Sequence, residues 1–412
     1  MKIAVFTDAY LEVASGIASS IRAQKQDLER LGHEVVLFCP GLKGSLAKLP
    51  AKERKNVVVV PTCKVWHFGG VPMARNPECV KNFVIRKFPN FASFDIVHVH
   101  YEAGCSLAGI LLAKQFDRPL VQTMHGREDS AIAVNVPHPF KALAAIVLNK
   151  AHADYIPHTI KIHKDNYLAT SFTRAKMWEL MVNHANVADV VVTPSKHFAR
   201  KLKHYGVSKP IRPLSNGVAD DLLVSEAKVR ELREGEPLKI IWHSRISREK
   251  RFRGFLLALK DLDVPYELYA YGNGNDFLVA QAMILSWGLN AKLYGSMGRK
   301  EIFAKMSECH ISALTSYNFD TQSMTLLEAE ATGCPVFFCD PDMKEVVPSG
   351  SYVCAKEPSV KAIAEALSDL AKHPERVAKM SEIMLKHRKE ILQSAKINEL
   401  LEIYKEVIYT CR

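Results

Sequence analysis

The sequence contains no C-x-x-C pair: its nine cysteines are scattered at positions 39, 63, 79, 105, 309, 334, 339, 354 and 411. That odd, dispersed set offers no zinc or redox pair and fits a reducing cytosol. No run of about 18 apolar residues occurs, and the longest candidate, Ala142 to Leu148, is far too short to span a bilayer. Any membrane contact is therefore expected to be peripheral. The first residues, Met1 to Phe6, run straight into Asp8 and lack the apolar stretch and cleavage site of a signal peptide, so they read as a first strand. Repeats and low-complexity tracts are absent, and no glycine or proline follows Pro374, which makes the tail to Tyr409 strongly helical. What is present is ordinary for a soluble globular protein. Hydrophobic residues make up 48% and charged residues 24% of 412, which excludes a disordered or fibrous chain and favours two large or three ordinary domains. The 55 Lys and Arg against 44 Asp and Glu leave a net charge of +11, which suggests an anionic partner: a phosphate-bearing substrate, a nucleic acid or an acidic membrane.

Along the chain, a strand at Lys2–Thr7, a helix from Ser19 to Leu31 stopped by Gly32, and a strand at Glu34–Phe38 form a βαβ unit. The pattern recurs at Asn56–Val60, Asp95–His100, Pro119–Thr123 and Asp189–Thr193. A second series starts at Leu238–Trp242 and continues at Tyr266–Tyr271, Ala291–Tyr294, His310–Leu314 and Pro335–Phe338. The expected architecture is α/β: two facing, doubly wound, Rossmann-like halves, 1–212 and 213–390, with a cleft between them. Such sheets bind ligands at their carboxyl edges, where the strand order reverses. The boundary falls in the Pro-, Gly- and charge-rich stretch Pro213–Pro237.

Charge is uneven. Between Ala131 and Arg212 there are twelve basic residues, among them Lys141, Lys150, Lys161, Lys164, Arg174 and Lys176, and only four acids. A solvated helical face is one reading. The other is a surface docking on anionic lipid, where each basic residue contributes about 1 kcal/mol, with Leu143, Ile146, Val147, Phe172 and Trp178 as its apolar side.

Two constellations carry chemistry. Arg245 and Lys250 follow the strand Leu238–Trp242, where two cations can grip a diphosphate, Arg in bidentate fashion. The string Asp320-Thr-Gln-Ser-Met-Thr-Leu-Leu-Glu328 opens a helix that ends near Gly333. Amides at such an N-terminus attract phosphate, with Thr321 or Ser323 as cap, which places Gln322, Ser323, Met324 and Thr325 in the donor site. Eight residues of helix rise about 12 Å, so Asp320 and Glu328 would hold hydroxyls at opposite ends of a nucleotide-sugar.

Arg245 to Lys250 resembles the G-R-x-x-x-E-K phosphate clamp of retaining GT-B glycosyltransferases, and Asp320 to Glu328 resembles their E-x7-E motif. Ser215-Asn-Gly-Val218 is similar to their P-N-G-V/I, and Asp95-Ile-Val-His-Val-His100 with Met124-His125-Gly126 and Glu128-Asp129 to their first-half strings. The resemblance covers nearly the whole chain and looks closest to bacterial glucosyltransferases that build diacylglycerol glycolipids. It implies a GT-B fold with a C-terminal helix, 391–412, crossing back to the first domain. Carried over residue by residue, it implies Arg245 and Lys250 on the leaving diphosphate, Asp320 on the donor sugar, Glu328 on the ribose, His125 against the transferred sugar, and Gly16 beside the diphosphate. It departs from the family in three places: Asp320 stands for Glu, Ser244 for Gly, and the loop Tyr10–Ile17 lacks N-G-V.

Competing readings are weaker. Tyr271-Gly-Asn-Gly-Asn275 lacks the third glycine of a dinucleotide fingerprint and reads as a strand-to-helix turn. His98-x-His100 points two imidazoles to one face but lacks a third metal ligand. Asp261-Leu-Asp263 and Asp340-Pro-Asp342 mimic a metal-binding D-x-D yet read as turns. No zinc-finger, helix-turn-helix or aromatic platform accompanies the basic segment, so no nucleic acid is expected. The sequence therefore leads to a cytoplasmic enzyme, peripheral on the inner face of the membrane, without metal or cofactor. It is expected to move a hexose with retention from a nucleotide-sugar, UDP-glucose preferred, to a diacylglycerol-type lipid. A polysaccharide or other soluble acceptor, or a non-catalytic sugar- or nucleic-acid-binding role, are the alternatives.

Overall fold

The computed structural model describes all residues except 13–15, 43, 69–70, 224–226 and 412. The chain divides into two units, Met1–Ser215 with Lys396–Arg412, and Asn216–Ala395.

The first unit is built on β1 (Lys2–Thr7), β2 (Glu34–Pro40), β3 (Val57–Val60), β4 (Thr62–Phe68), β5 (Val71–Ala74), β6 (Ile96–His100), β7 (Leu120–Thr123), β8 (Val190–Thr193) and β9 (Ile211–Pro213). Seven of these form one parallel sheet in the order β3-β2-β1-β6-β7-β8-β9, and β4 pairs with β5 as a separate antiparallel hairpin. Helices cover both faces, so the inner strands carry near-continuous apolar runs: every residue of β6 and β7 is buried. One face packs Phe6, Phe38, Phe91 and Phe94. The other packs Ile3, Val5 and Val35 against Leu400, Tyr404 and Val407 of the last helix, Gln393–Thr410.

The second unit has β10 (Leu238–His243), β11 (Tyr266–Tyr271), β12 (Ala291–Leu293), β13 (Ile311–Leu314), β14 (Val336–Phe338) and β15 (Tyr352–Cys354). Their order is β12-β11-β10-β13-β14-β15, all parallel, with Trp242, Phe252 and Phe255 in the core on one face. In both units the order reverses beside the first strand, between β1 and β6 and between β10 and β13. These two edges are where the doubly wound topology leaves a crevice.

The division between Ser215 and Asn216 lies three residues beyond the position read from composition. The hairpin and the short strands β9 and β15 are additions to the pattern read from sequence. Trp178, expected on an interfacial face, is instead fully buried, stacked on Tyr205 at 4.5 Å. Its helix, Phe172–Ala185, is buried along almost its whole length and has no outward stripe at that position.

Candidate active site

At the carboxyl end of β10 the chain turns through Ser244–Lys250, and at the end of β13 through Thr315–Ser323. The first turn is braced by its neighbour after β11: Ser244 N donates to Tyr271 O and Ile246 N to Asn273 O. This contact explains the glycines of Tyr271-Gly-Asn-Gly274. A Cβ on Gly272 would stand 1.9 Å from Ser244 O, and one on Gly274 2.4 Å from Ile246 O. They are there for close backbone approach rather than for a dinucleotide.

The two turns meet through side chains. Lys250 Nζ donates to both oxygens of Asp320, at 2.6 and 2.9 Å, and Ser316 Oγ also reaches this carboxylate. Thr315 Oγ1 donates to Lys250 O at 2.9 Å. One step inward, His243 Nε2 donates to Glu328 at 3.0 Å, Arg299 Nε lies 3.4 Å from the other Glu328 oxygen, and Thr325 Oγ1 donates to His243 O. The Nδ1 of His243 is buried without a partner among the described residues. Arg245 differs from Lys250: its side chain is 62% exposed and pairs with the buried Glu249 at 3.0 Å. The backbone is held in left-handed conformations at Arg251 and Asn318, flanking the site. Such costs collect at functional positions.

The helix starts later than the sequence suggests. It spans Met324–Thr332, with Ser323 extended at its N-cap and Gly333 left-handed at its end. Asp320 therefore lies in the loop, where Lys250 and Ser316 hold it, and the 12 Å helical spacing to Glu328 does not apply. From Met324 to Glu328 the rise is about 6 Å. The Ser323 side chain makes no capping bond, and Gln322 Oε1 accepts from Asn216 N and Nδ2, at 2.8 and 2.9 Å. Thr325 is buried and Met324 half-buried beside them. The sequence thus brings Lys250, Asp320, Thr325 and Glu328 to one edge. It gave no sign of Arg299, which stands in no recognisable string, nor of His243 as the partner of Glu328.

The corresponding edge of the first unit holds His125. Gly16 opens the helix Gly16–Arg30, and residues 13–15 of its loop lie outside the described set. His125 Nε2 is 2.7 Å from His100 Nδ1, and the two rings stack. His98 lies against His100 and spends its nitrogens on Tyr404 OH, at 2.6 Å, and Thr123 Oγ1, at 2.7 Å. The His98-x-His100 pair is thus engaged within the protein. Burial pushes His125 down to about 4 and His98 to about 3, and drives His100 well below its usual range, so all three are neutral near pH 7. Around them, Asp8 accepts amides from Cys105 and Ser106 at the start of the helix Gly104–Gln115. Burial, with the charge of Asp129, pushes Glu128 up to about 7, and burial raises Glu102. Asp129 pairs with Arg127 at 2.7 Å and with Arg174 at 2.6 Å. Tyr101, at the end of β6, has φ of +81°.

The basic segment is sorted by its partners. Arg174 serves Asp129, Lys176 serves Glu179 at 3.0 Å, Lys161 also reaches Glu179, and Lys141 donates to Ala133 O. Lys150 and Lys164 are exposed. The helix Lys141–Ala153 buries Ala145, Asn149 and His152 and turns Leu143, Ile146 and Val147 outward, with Phe140 before it 60% exposed. Asp263 lies in a loop and binds Ser368 and Lys372, whereas Asp340 is not in a turn but caps the short 3-10 helix Pro341–Glu345, accepting Asn318 N and Asp342 N. Among the described residues no group of three or more His, Cys, Asp or Glu is placed to hold a metal ion, and no helix is long and apolar enough to cross a membrane.

The chain matches known protein families. The family described as Glycosyltransferase Family 4 matches residues 14–222, and that described as Glycosyl transferases group 1 matches 224–387. Similar proteins include alpha-monoglucosyldiacylglycerol synthases of Streptococcus pneumoniae, 26% identical over 356 residues, and of Acholeplasma laidlawii, 24% identical over 354. Each alignment spans 82% of this chain, with 70% and 79% of the respective relative. Anabaena HepE, solved in complex with UDP, superposes with a TM-score of 0.70 at 14% identity, over 98% of this chain and all of that one. A Rickettsia africae glycosyltransferase gives 0.67 at 17%, over 99% and 98%. The chain belongs to the family 4 glycosyltransferases, with the two Rossmann-like units of the GT-B fold, and is a nucleotide-sugar-dependent glycosyltransferase.

Proposed function

We propose that this enzyme transfers glucose from UDP-glucose to a diacylglycerol-type lipid at a membrane surface, with retention at the anomeric carbon and without a metal. The observation that carries the lipid reading is the outward stripe Phe140, Leu143, Ile146 and Val147, bordered by Lys150. A soluble helix turns such residues inward, and an outward apolar stripe beside basic charge suits the headgroup boundary of an anionic bilayer. The names of the two curated relatives, and the UDP and UDP-glucose in the Anabaena structures, agree with this choice.

In the reaction, the bond from the anomeric carbon to the phosphate oxygen breaks with its electron pair going to the nucleotide diphosphate. The acceptor hydroxyl bonds to that carbon on the same face and gives its proton to a phosphate oxygen, so no protein base is needed. Arg245 and Lys250 meet the charge that grows on the departing phosphate, a contact stronger in the transition state than before it. The amides of Ser323 to Thr325 add to it. Glu328, oriented by His243 and Arg299, accepts from the ribose hydroxyls. Asp320, released from Lys250 as that cation turns to phosphate, accepts from the sugar. His125, kept neutral by burial, offers a hydrogen bond to the transferred hexose.

The test is a screen of UDP-, GDP- and ADP-sugars against diacylglycerol in anionic vesicles and against soluble saccharides, read by mass spectrometry, with excess EDTA in a parallel arm. Glucosyl-diacylglycerol with the α configuration, formed from UDP-glucose and insensitive to EDTA, is the expected product. Transfer to saccharides alone, or a requirement for Mg or Mn ions, overturns the corresponding part.

A further inference from the structure

The first unit also carries an open apolar cavity away from its switch point. Immediately beyond the carboxyl ends of β2 and β3 is a cavity of about 450 Å³ lined by Leu42, Leu46, Ala47, Val59, Pro61 and Phe83. Its volume is within the usual range for small-molecule sites, about 300–1,000 Å³. Apolar side chains dominate the wall. The Thr62 hydroxyl is turned to Gly41 O, at 3.4 Å, rather than offered to a ligand. The cavity is open to solvent, with Leu42 44% exposed and Ala47 exposed on its lining. At Pro61, exposed Arg75 donates its backbone amide to the carbonyl.

Its place in the sheet gives it meaning. β2 is the neighbour of β1, and the switch point between β1 and β6 gathers Asp8, His100 and Glu102 at the same carboxyl edge. Strands lie about 4.8 Å apart, so the cavity begins on the order of 10 Å from that point. A hydroxyl bound at the switch point, carried on a short glycerol, brings an attached hydrocarbon chain to the cavity mouth. A soluble sugar acceptor has nothing to put there.

We propose that this cavity takes one acyl chain of the lipid acceptor, and so selects long-chain diacylglycerol over short-chain or soluble acceptors. The proposal rests on the lipid-acceptor reading above but names a site and a selectivity that the reading does not contain. Ala47→Trp places a ring at the mouth, and Leu42→Asp a charge at its edge. Both positions are exposed, so folding is expected to be intact, checked by the unfolding midpoint.

Two measurements apply. For turnover, kcat/KM on dioleoylglycerol should fall about tenfold or more in Ala47→Trp, while kcat/KM on dihexanoylglycerol and the KM for the nucleotide-sugar stay near wild type. Equal loss on both lipids, or no loss on either, overturns the proposal. For binding, a parinaroyl-chain diacylglycerol in detergent micelles, without donor, should gain fluorescence with wild type and not with either variant. Absent binding to wild type, or equal binding by the variants, also overturns it. Cavity-dependent binding without glucosyl transfer would instead defeat the proposed function and leave the cavity assigned.

Discussion

Arg245 and Lys250 share a motif but not an environment, and this separates what each variant reports. Lys250 is buried against Asp320, so Lys250→Ala leaves a carboxylate without its cation and mixes lost catalysis with lost stability. Arg245 is exposed, and its buried partner Glu249 keeps the Ser247 hydroxyl at 2.6 Å, so Arg245→Ala should lower the unfolding midpoint less than Lys250→Ala. Its turnover should nevertheless fall by roughly 10²-fold, the usual consequence of removing one donor aimed at developing charge. Steady-state kinetics beside thermal melts check this, and near-normal kcat in Arg245→Ala removes that cation from the mechanism. The pairing itself could not be read from the sequence: Lys250 and Asp320 are 70 residues apart and His243 and Glu328 85. Motif spacing reports chain distance, and only the parallel order β10-β13 converts it into proximity. Arg299 was invisible because one arginine opening a helix has no distinguishing neighbours.

Among the elements, those buried on both faces were legible almost to the residue. β1 and β11 coincide with their apolar runs, and β6, β7 and β8 differ by one residue at their start. Strands of three residues, β9 and β15, give a period-two or apolar signal too short to stand out. The helix Lys141–Ala153 shows a different limit. Its composition reveals apolar and basic residues together, but which of them face outward depends on what packs beneath, here Ala145, Asn149 and His152. Replacing Leu143, Ile146 and Val147 together by Gln should leave the fold intact, since these side chains are about half exposed and belong to none of the core clusters. Flotation with liposomes containing anionic lipid should drop by about tenfold or more, and the residual binding of wild type should weaken with salt. Unchanged flotation of the triple variant, or equal recovery with neutral vesicles, would remove this helix as the membrane contact.

At the scale of the whole molecule, the first unit carries an unusual load of buried imidazole. Burial lowers His98 to about 3, His125 to about 4, His184 to about 3 and His152 to about 2, and also lowers His100. In the unfolded chain these groups titrate near 6.5. Between that value and their folded values the unfolded state binds more protons, so stability is full above pH 6.5 and is lost as pH falls. Each such group contributes a slope of up to about 1.4 kcal/mol per pH unit. Glu128, raised to about 7, and Glu102 act in the opposite sense, since the folded state holds their protons longer. Burial raises Asp8 as well, but five imidazoles outweigh these three carboxyls, so the urea midpoint of the first unit should fall markedly from pH 7 to pH 5. The loss has a structural address. His98 holds the Tyr404 hydroxyl of the last helix at 2.6 Å, and burial opposes a charge on His98 at this contact, where Tyr404 shares its core cluster with Ile397, Leu400 and Val407. Hydrogen exchange in Lys396–Thr410 should therefore accelerate on acidification before the β10-centred sheet, where, among the described residues, the buried His243 and His310 are not hydrogen-bonded to another histidine. His98→Gln, which keeps hydrogen bonding but cannot titrate, should flatten the pH dependence of that exchange. An identical acid response in His98→Gln and wild type would refute the link between the imidazole and the helix.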